Sequence, residues 1–395
     1  MSNKLKYHCI FGGGGIRGIS YIGALRALSE KNIEIESIAG SSVGAIFSAL
    51  YAVGYTENEI KEKMNEFNIT MFRDLNIDLF SHDVSISKGE IFLDWLREKI
   101  EKKYYAASYK KGDNKPVTFE DLDINLQILT VDINTNTPFI FSKETTPNTE
   151  IAFALRASAS LPGLMKPVSY NNAVLVDGDL SKTLPAWKIF NNIDNENSRI
   201  LEFRLEGART NSEFKNPQDY INSVIDAISY ISTENITDMY QKNDRYDYIV
   251  IDTKDIILFD FNLDTNKKNE LIEKGYNITK NYLDNILVSK KKMILDIYKK
   301  LLIKTKELIK NIKKGNAETS VNIINDILSD ITENKKYTDI SFYNDIYNLK
   351  KEITANIKWA FIHKKIDNNN SVTAKAEKIK TLMEYRIEDL LMYIK

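Results

Sequence analysis

The stretch IAGSSVGAI, residues Ile38 to Ile46, decides how this chain is read. An apolar run enters it and a helical apolar run leaves it; between them Gly40-Ser41-Ser42-Val43-Gly44 sets a serine between two glycines. A G-x-S-x-G at a strand-to-helix junction is the layout of a nucleophile elbow, a turn so sharp that side chains at the glycine positions would clash. Ser42 would project from that turn, with the positive end of the next helix beneath it to favour negative charge. On spacing alone, a plain small-residue connection between strand and helix reads equally well.

Working outward, residues 5–11 read as a buried strand, 19–31 as a helix, 37–39 as a second short strand and 43–54 as a helix apolar nearly all round. This opening predicts an α/β fold with a parallel sheet. Residues 56–115 are more polar, with amphipathic stretches at 57–67 and 88–104, and read as a helical insertion. Strands return at 125–133, 138–142, 173–176, 199–204 and 246–251. From about 265 the strand signal gives way to amphipathic helices, broken near Gly315 and at Asn368-Asn369-Asn370. The expected organisation is an α/β domain over 1–290 and an all-α region over 291–395.

Composition narrows the function classes. Hydrophobic residues make up 43% and the formal net charge is -1, the profile of a globular protein with no nucleic-acid partner. Cys9 is the single cysteine, so an intrachain disulfide or a cysteine-held metal is excluded and a reducing, cytoplasmic setting is expected. No signal-peptide core is legible near the N-terminus, and the longest apolar stretch, 45–55, covers only about half of a bilayer span.

A second glycine-rich segment, Gly12-Gly13-Gly14-Gly15-Ile16-Arg17-Gly18, follows the first strand. Gly13, Gly15 and Gly18 spell G-x-G-x-x-G, which raises a dinucleotide-binding reading with Glu36 as the ribose acid. That acid should end the second strand, whereas here the strand begins after Glu36, so the dinucleotide reading fails on position. The same glycines can instead aim bare backbone N–H groups at the oxygen that becomes negative when a serine attacks an ester.

A serine nucleophile needs a base, and the chain has three histidines, His8, His82 and His363. His8 lies inside the first strand, where a lone histidine is more often a core residue than a catalyst; His82 is in the insertion and His363 in the helical tail. "AVLVDGDL", residues 173–180, places Asp177 directly after an apolar run, where a carboxylate can be desolvated and its pKa raised. An isolated Asp-Gly is usually a turn; the serine and the glycine loop are what single this one out.

Taken in order, these blocks resemble the patatin-like phospholipases, which hydrolyse lipid acyl esters with a Ser-Asp dyad and no histidine. The resemblance also takes in "TFEDL" at 118–122, "LTVDINTNTPFIFS" at 129–142, "ALRASASLPGLMKPV" at 154–168 and "FDFNLDTNKKNELIEKGYNIT" at 259–279. It implies a three-layer α/β/α sandwich with a mainly parallel sheet, Ser42 as nucleophile, Asp177 as its base and the backbone of Gly13, Gly14 and Gly15 as oxyanion hole. It implies no metal and no cofactor, and a phospholipid or lysophospholipid substrate met at a membrane surface. Arg17 either holds a lipid phosphate or braces the glycine loop. The family's D-G-G or D-G-A is here Asp177-Gly178-Asp179, and the Asn often found downstream is altered in "SKTLPAW"; both departures bear on rate and substrate preference. Transfer of the acyl group to an alcohol, or a catalytically silent lipid- or partner-binding protein, are the alternatives.

Residues 290–314 hold ten lysines against Asp296 and Glu307, with Ile294, Ile297, Leu301, Leu308 and Ile312 at helical spacing. A basic amphipathic helix of this kind offers a route to peripheral membrane association. The favoured reading packs its apolar side on neighbouring helices and leaves its lysines in water. An oligomer or regulatory partner through these helices is a third.

Overall fold

The structure, a computed structural model, describes residues 6–72, 74, 87–181, 199–207, 223–224, 227, 246–258, 260, 263–335, 338, 340–363, 369–392 and 394. His82 and all of "SKTLPAW" but Ser181 lie outside the described residues. The described chain divides between Tyr282 and Leu283 into two compact units.

The first unit is an α/β sandwich. Its order is β1 (Lys6–Phe11), α1 (Ser20–Glu30), β2 (Glu34–Ser41), α2 (Val43–Ala52), α3 (Glu57–Glu66), α4 (Glu90–Tyr105), β3 (Asn125–Asp132), β4 (Thr137–Ser142), α5 (Ile151–Ser158), β5 (Val168–Tyr170), β6 (Ala173–Asp177), β7 (Arg199–Glu206), β8 (Tyr246–Asp252) and α6 (Thr265–Asn281). Eight strands form one sheet in the order β5-β6-β3-β2-β1-β7-β8, with β4 also on β3. The run β3-β2-β1-β7-β8 is parallel. Where β4 and β6 join β3, and β5 joins β6, pairing is antiparallel. Short links dictate the β3–β4 and β5–β6 pairings: only 133–136 separate β3 from β4 and only 171–172 separate β5 from β6, far too few residues for a parallel crossover. Strand β5 has no counterpart in the sequence reading, because three half-exposed residues show no period.

One feature of the pairing positions the site. Residues Gln127 to Leu129 of β3 pair with β4 and also with β2, which ends at Ser41 opposite Leu129. Residues Thr130 to Asp132 pair with β4 and also with β6, which ends at Asp177 opposite Thr130. With β4 occupying one side of β3, strands β2 and β6 must share the other side, running toward each other. Their C-terminal ends meet between Leu129 and Thr130.

At the ends of β1 and β7 the core is aromatic. Phe11 stacks on Phe203 at 4.8 Å between ring centroids, Tyr21 meets Phe11 edge-on at 5.0 Å, and the Tyr21 hydroxyl donates to the Gly12 carbonyl at 2.9 Å. Rings of this size fix the ends of β1 and β7, and with them the loop that leaves β1.

The second unit is helical: α7 (Val288–Lys313), α8 (Ala317–Glu333), α9 (Ile340–His363) and α10 (Asn369–Met392). Ile294, Leu301, Leu308 and Ile312 of α7 are buried with Ile324 and Ile327 of α8 and Ala376 and Met383 of α10. The apolar stripe of α7 is thus consumed in helix packing, the favoured of its sequence readings. Several of its lysines are paired within the unit: Lys300 and Lys304 with Asp330, Lys306 with Glu384, and Lys313 with Glu377. Among the described residues no helix is long and apolar enough to cross a membrane.

Candidate active site

Ser42 stands between β2 and α2 with φ 50° and ψ -127°. A non-glycine residue held there costs about 1–3 kcal/mol, so the surroundings must enforce the conformation. They do so with hydrogen bonds. The Ser42 N–H donates to Ser158 Oγ at 2.9 Å, and that hydroxyl donates to the Leu129 carbonyl at 2.6 Å, tying the elbow to β3. The Ser42 carbonyl accepts from the Ala45 and Ile46 N–H groups, starting α2 directly under the hydroxyl. Ser42 itself is half-buried, while every residue from Val43 to Leu50 is buried.

Asp177 comes from β6 and is 1% exposed. Its backbone N–H donates to the Ser160 carbonyl at 3.0 Å, and its Oδ1 accepts the Asp179 N–H at 2.8 Å. The chain can turn away after Asp177 only because residue 178 lacks a side chain: a Cβ there would lie 2.2 Å from the Leu129 carbonyl oxygen. The Ser42 hydroxyl lies close enough to the Asp177 carboxylate to favour its ionised form. Burial, followed by the like charge of Asp179, pushes the Asp177 carboxyl up to about 7, against the opposing pull of the Asp179 N–H and the Ser42 hydroxyl. A carboxylate with that midpoint is half-ionised near neutrality and can accept a proton usefully.

The glycine loop leaves β1 into a single 3-10 turn, Gly15–Ile19. Gly15 has φ +55°, and a Cβ on it would lie 2.3 Å from the Leu258 carbonyl oxygen, so only glycine fits. The Gly13 N–H donates to Asp179 Oδ1 at 3.0 Å. Of the three glycines read as oxyanion-hole backbone, Gly13 therefore has its N–H engaged within the protein. Among the described residues, the Gly14 and Gly15 N–H groups have no acceptor.

Arg17 is 2% exposed and its Nε donates to the Ile256 carbonyl at 2.8 Å. That enclosure and that bond suit the bracing one of its two readings.

His8 is 7% exposed in the middle of β1. Its Nδ1 lies 2.6 Å from Ser37 Oγ and its Nε2 3.5 Å from Glu36 Oε2. Burial holds the ring below the usual imidazole range, with Glu36 pulling partly back. It is bound to a different serine from the one in the elbow.

Three supporting residues were invisible in the sequence as contributors. Ser158 and Ser160 act through backbone groups of other elements, and Arg204 reaches Asp179 from β7 at 3.3 Å. Their signal was present only as membership of larger blocks, because each partner is brought in by strand pairing and not by sequence spacing.

The model of the patatin-like phospholipase family matches residues 9–188. An uncharacterised protein of Acanthamoeba polyphaga mimivirus is 30% identical over 286 residues, which is 70% of this chain and 93% of that protein. A probable lipid hydrolase of Invertebrate iridescent virus 6 is 29% identical over 187 residues, 47% of this chain and 64% of that protein. A lysophospholipase of Yarrowia lipolytica is 29% identical over 181 residues, 45% of this chain but 11% of that much longer protein. The matched segment of the family model spans the glycine loop, the serine elbow and the end of β6, and with it the chain belongs to the patatin-like phospholipase family.

Proposed function

We propose that the chain is a lipid acyl hydrolase, of phospholipase A or lysophospholipase type, in which Ser42 is the nucleophile and Asp177 the base. The observation that carries the reading is the meeting of two strand ends, which sets Ser42, on a strained turn, beside a buried carboxylate held at about 7. Family membership, with a lipid hydrolase and a lysophospholipase among the relatives, favours as substrate class an acyl ester of a glycerophospholipid or lysophospholipid presented at a membrane surface.

As Ser42 Oγ bonds to the ester carbonyl carbon, its proton passes to Asp177 and the carbonyl electrons move to oxygen. The Gly14 and Gly15 N–H groups receive that oxyanion; donors of this kind are each worth about a hundredfold or more in rate. The adduct collapses by breaking the bond to the glycerol oxygen, which takes the proton from Asp177 and leaves the acyl group on Ser42. Water then adds to the acyl carbon as Asp177 removes its proton, the fatty acid departs, and Ser42 recovers its hydrogen. One carboxylate serves both halves without a histidine.

The test is labelling by a fluorophosphonate probe together with hydrolysis of a lysophospholipid. Ser42→Ala is expected to lose both, and Asp177→Asn to lose hydrolysis by about a thousandfold or more. Full hydrolysis in Asp177→Asn would remove Asp177 from the mechanism, and labelling retained in Ser42→Ala would remove the nucleophile.

A further inference from the structure

We propose that Asp179, where the family has a small residue, is a positioning residue for this reaction: one carboxylate fastens the glycine loop, the nucleophile turn and the strand bearing the base into a single unit. The inference rests on the Ser42–Asp177 reading above. Asp179 Oδ1 accepts the Gly13 N–H at 3.0 Å, the Ser41 hydroxyl at 3.1 Å and Arg204 Nη1 at 3.3 Å. These donors belong to the loop after β1, to the end of β2 and to β7. Meanwhile the backbone N–H of Asp179 closes onto Asp177 Oδ1 at 2.8 Å. Four strand ends thus converge on one side chain.

The fit is close and built. A Cβ on Gly13 would lie 2.7 Å from Asp179 Cγ, so the loop lies directly on the carboxylate. Arg204 is 7% exposed and its Nε donates to Glu202 Oε1 at 2.5 Å, which fixes the guanidinium that faces Asp179. A glycine or alanine at position 179 would leave the Gly13 N–H and the Ser41 hydroxyl without this acceptor, and would leave Arg204 with Glu202 alone as its charged partner.

The arrangement has an electrostatic consequence. Asp177 is faced by Asp179, while the charged and titratable groups around Asp179 are Arg204 and Glu202 of β7 and Tyr21 of α1, with Tyr248 of β8 beside Arg204 and Tyr21. Arg204 bonds the Asp179 carboxylate, and the like charge of Asp179 beside Asp177 disfavours the ionised form of Asp177. The same residue that holds the loop therefore helps keep the base titrating near neutrality.

The two effects separate in two variants. Asp179→Asn keeps an oxygen acceptor and removes the charge; Asp179→Ala removes both. The readouts are the Asp177 carboxyl titration followed by carbon NMR, hydrogen exchange of the Gly13 amide, and kcat against KM on a lysophospholipid. In Asp179→Asn the Asp177 midpoint is expected to fall by on the order of one pH unit. In Asp179→Ala the Gly13 amide should exchange about tenfold faster or more, and kcat should fall about tenfold or more with KM changing less than about threefold. An Asp177 midpoint unmoved in Asp179→Asn, a Gly13 amide as protected in Asp179→Ala as in the parent chain, or an unchanged kcat overturns the proposal. The titration and exchange need no turnover, so they stand apart from the dyad: probe labelling that survives Ser42→Ala defeats the dyad and leaves those two results in force.

Discussion

Two serines five residues apart, Ser37 within β2 and Ser42 just past its end, each lie beside titratable side chains. Ser37 has a histidine, His8, at 2.6 Å, with Glu36 beyond it. Ser42 has beside it the carboxylate of Asp177. By inventory Ser37 holds the better set, yet by position it holds none of what acyl transfer needs. It is 4% exposed, in the middle of a strand whose N–H groups are spent on pairing with β1 and β3. Ser42 sits past the last paired residue, on a strained turn, at the start of a helix, beside a glycine loop whose Gly14 and Gly15 N–H groups have no acceptor among the described residues. Reactivity here comes from where a strand stops. A donor, an acceptor and space coexist only beyond the last rung of the ladder.

The largest effect that can break this comparison is on rate. With folded fractions matched, Asp177→Asn is expected to lower kcat/KM by about a thousandfold or more, whereas Ser37→Ala and His8→Ala change it by less than about threefold. If His8→Ala falls as far as Asp177→Asn, the two serines have been assigned the wrong way round.

Stability against pH should differ in sign between the two sites. The folded Asp177 midpoint, about 7, lies above its unfolded value near ~3.9. Its carboxyl therefore contributes stability that is fully present below about pH 4 and lost as pH rises through about 7. At about 1.4 kcal/mol per unit, the cost above 7 is on the order of 4 kcal/mol at most. Asp177→Asn should accordingly raise the melting temperature at pH 8, with the gain vanishing toward pH 4. His8 runs the other way: its ring is held below the usual range, so its contribution is present above about 6.5 and lost as pH falls through the lowered value. The penalty of His8→Gln should therefore shrink toward acid pH. Thermal melts across pH 4–8 check both signs.

A subtler separation lies in the pH–rate profile. Because Asp177 must be ionised to take the serine proton, kcat/KM should rise with pH through a midpoint near 7. A histidine base would give a limb in the same region, so the midpoint alone does not discriminate. What discriminates is that the limb stays in place in His8→Ala.

Much of this was legible in the sequence, for a reason the two serines make plain. A chain that must stop pairing, turn sharply and expose a group writes that need in glycines and in breaks of hydrophobic period. So Gly40 to Gly44, the run from Gly12 and the end of "AVLVDGDL" could be read directly. The strand-pairing partners could not. That β6 shares a side of β3 with β2 follows from a three-residue strand and a two-residue link too short to carry a pattern. That Asp179 has Arg204 for a partner follows from β7 lying next to β1, a neighbour set by topology. Arg17 was ambiguous because an arginine looks the same in sequence whether it ends in solvent or on the Ile256 carbonyl. The basic helix α7 was ambiguous likewise, until Ile324 and Met383 were found packed on its apolar stripe.

The smallest expected effect gives the sharpest contrast, since the same atom is removed in both places. Ser158 is fully buried and its hydroxyl bridges the Ser42 N–H and the Leu129 carbonyl. Ser37 is buried too and its hydroxyl bonds His8. Ser158→Ala and Ser37→Ala each strand a buried polar group, and each should cost roughly 1–3 kcal/mol in denaturant unfolding. The two should be nearly indistinguishable as stability changes. They should part in turnover, because the bond from Ser158 holds the elbow in its strained conformation, and a shift of under an ångström in Oγ is enough to misalign it with a carbonyl carbon. Ser158→Ala is expected to lower kcat by about tenfold while Ser37→Ala leaves it unchanged. Equal melting shifts with equal kcat values would mean that the elbow holds itself, and that the end of β2 owes its reactivity to Asp177 and the glycine loop alone.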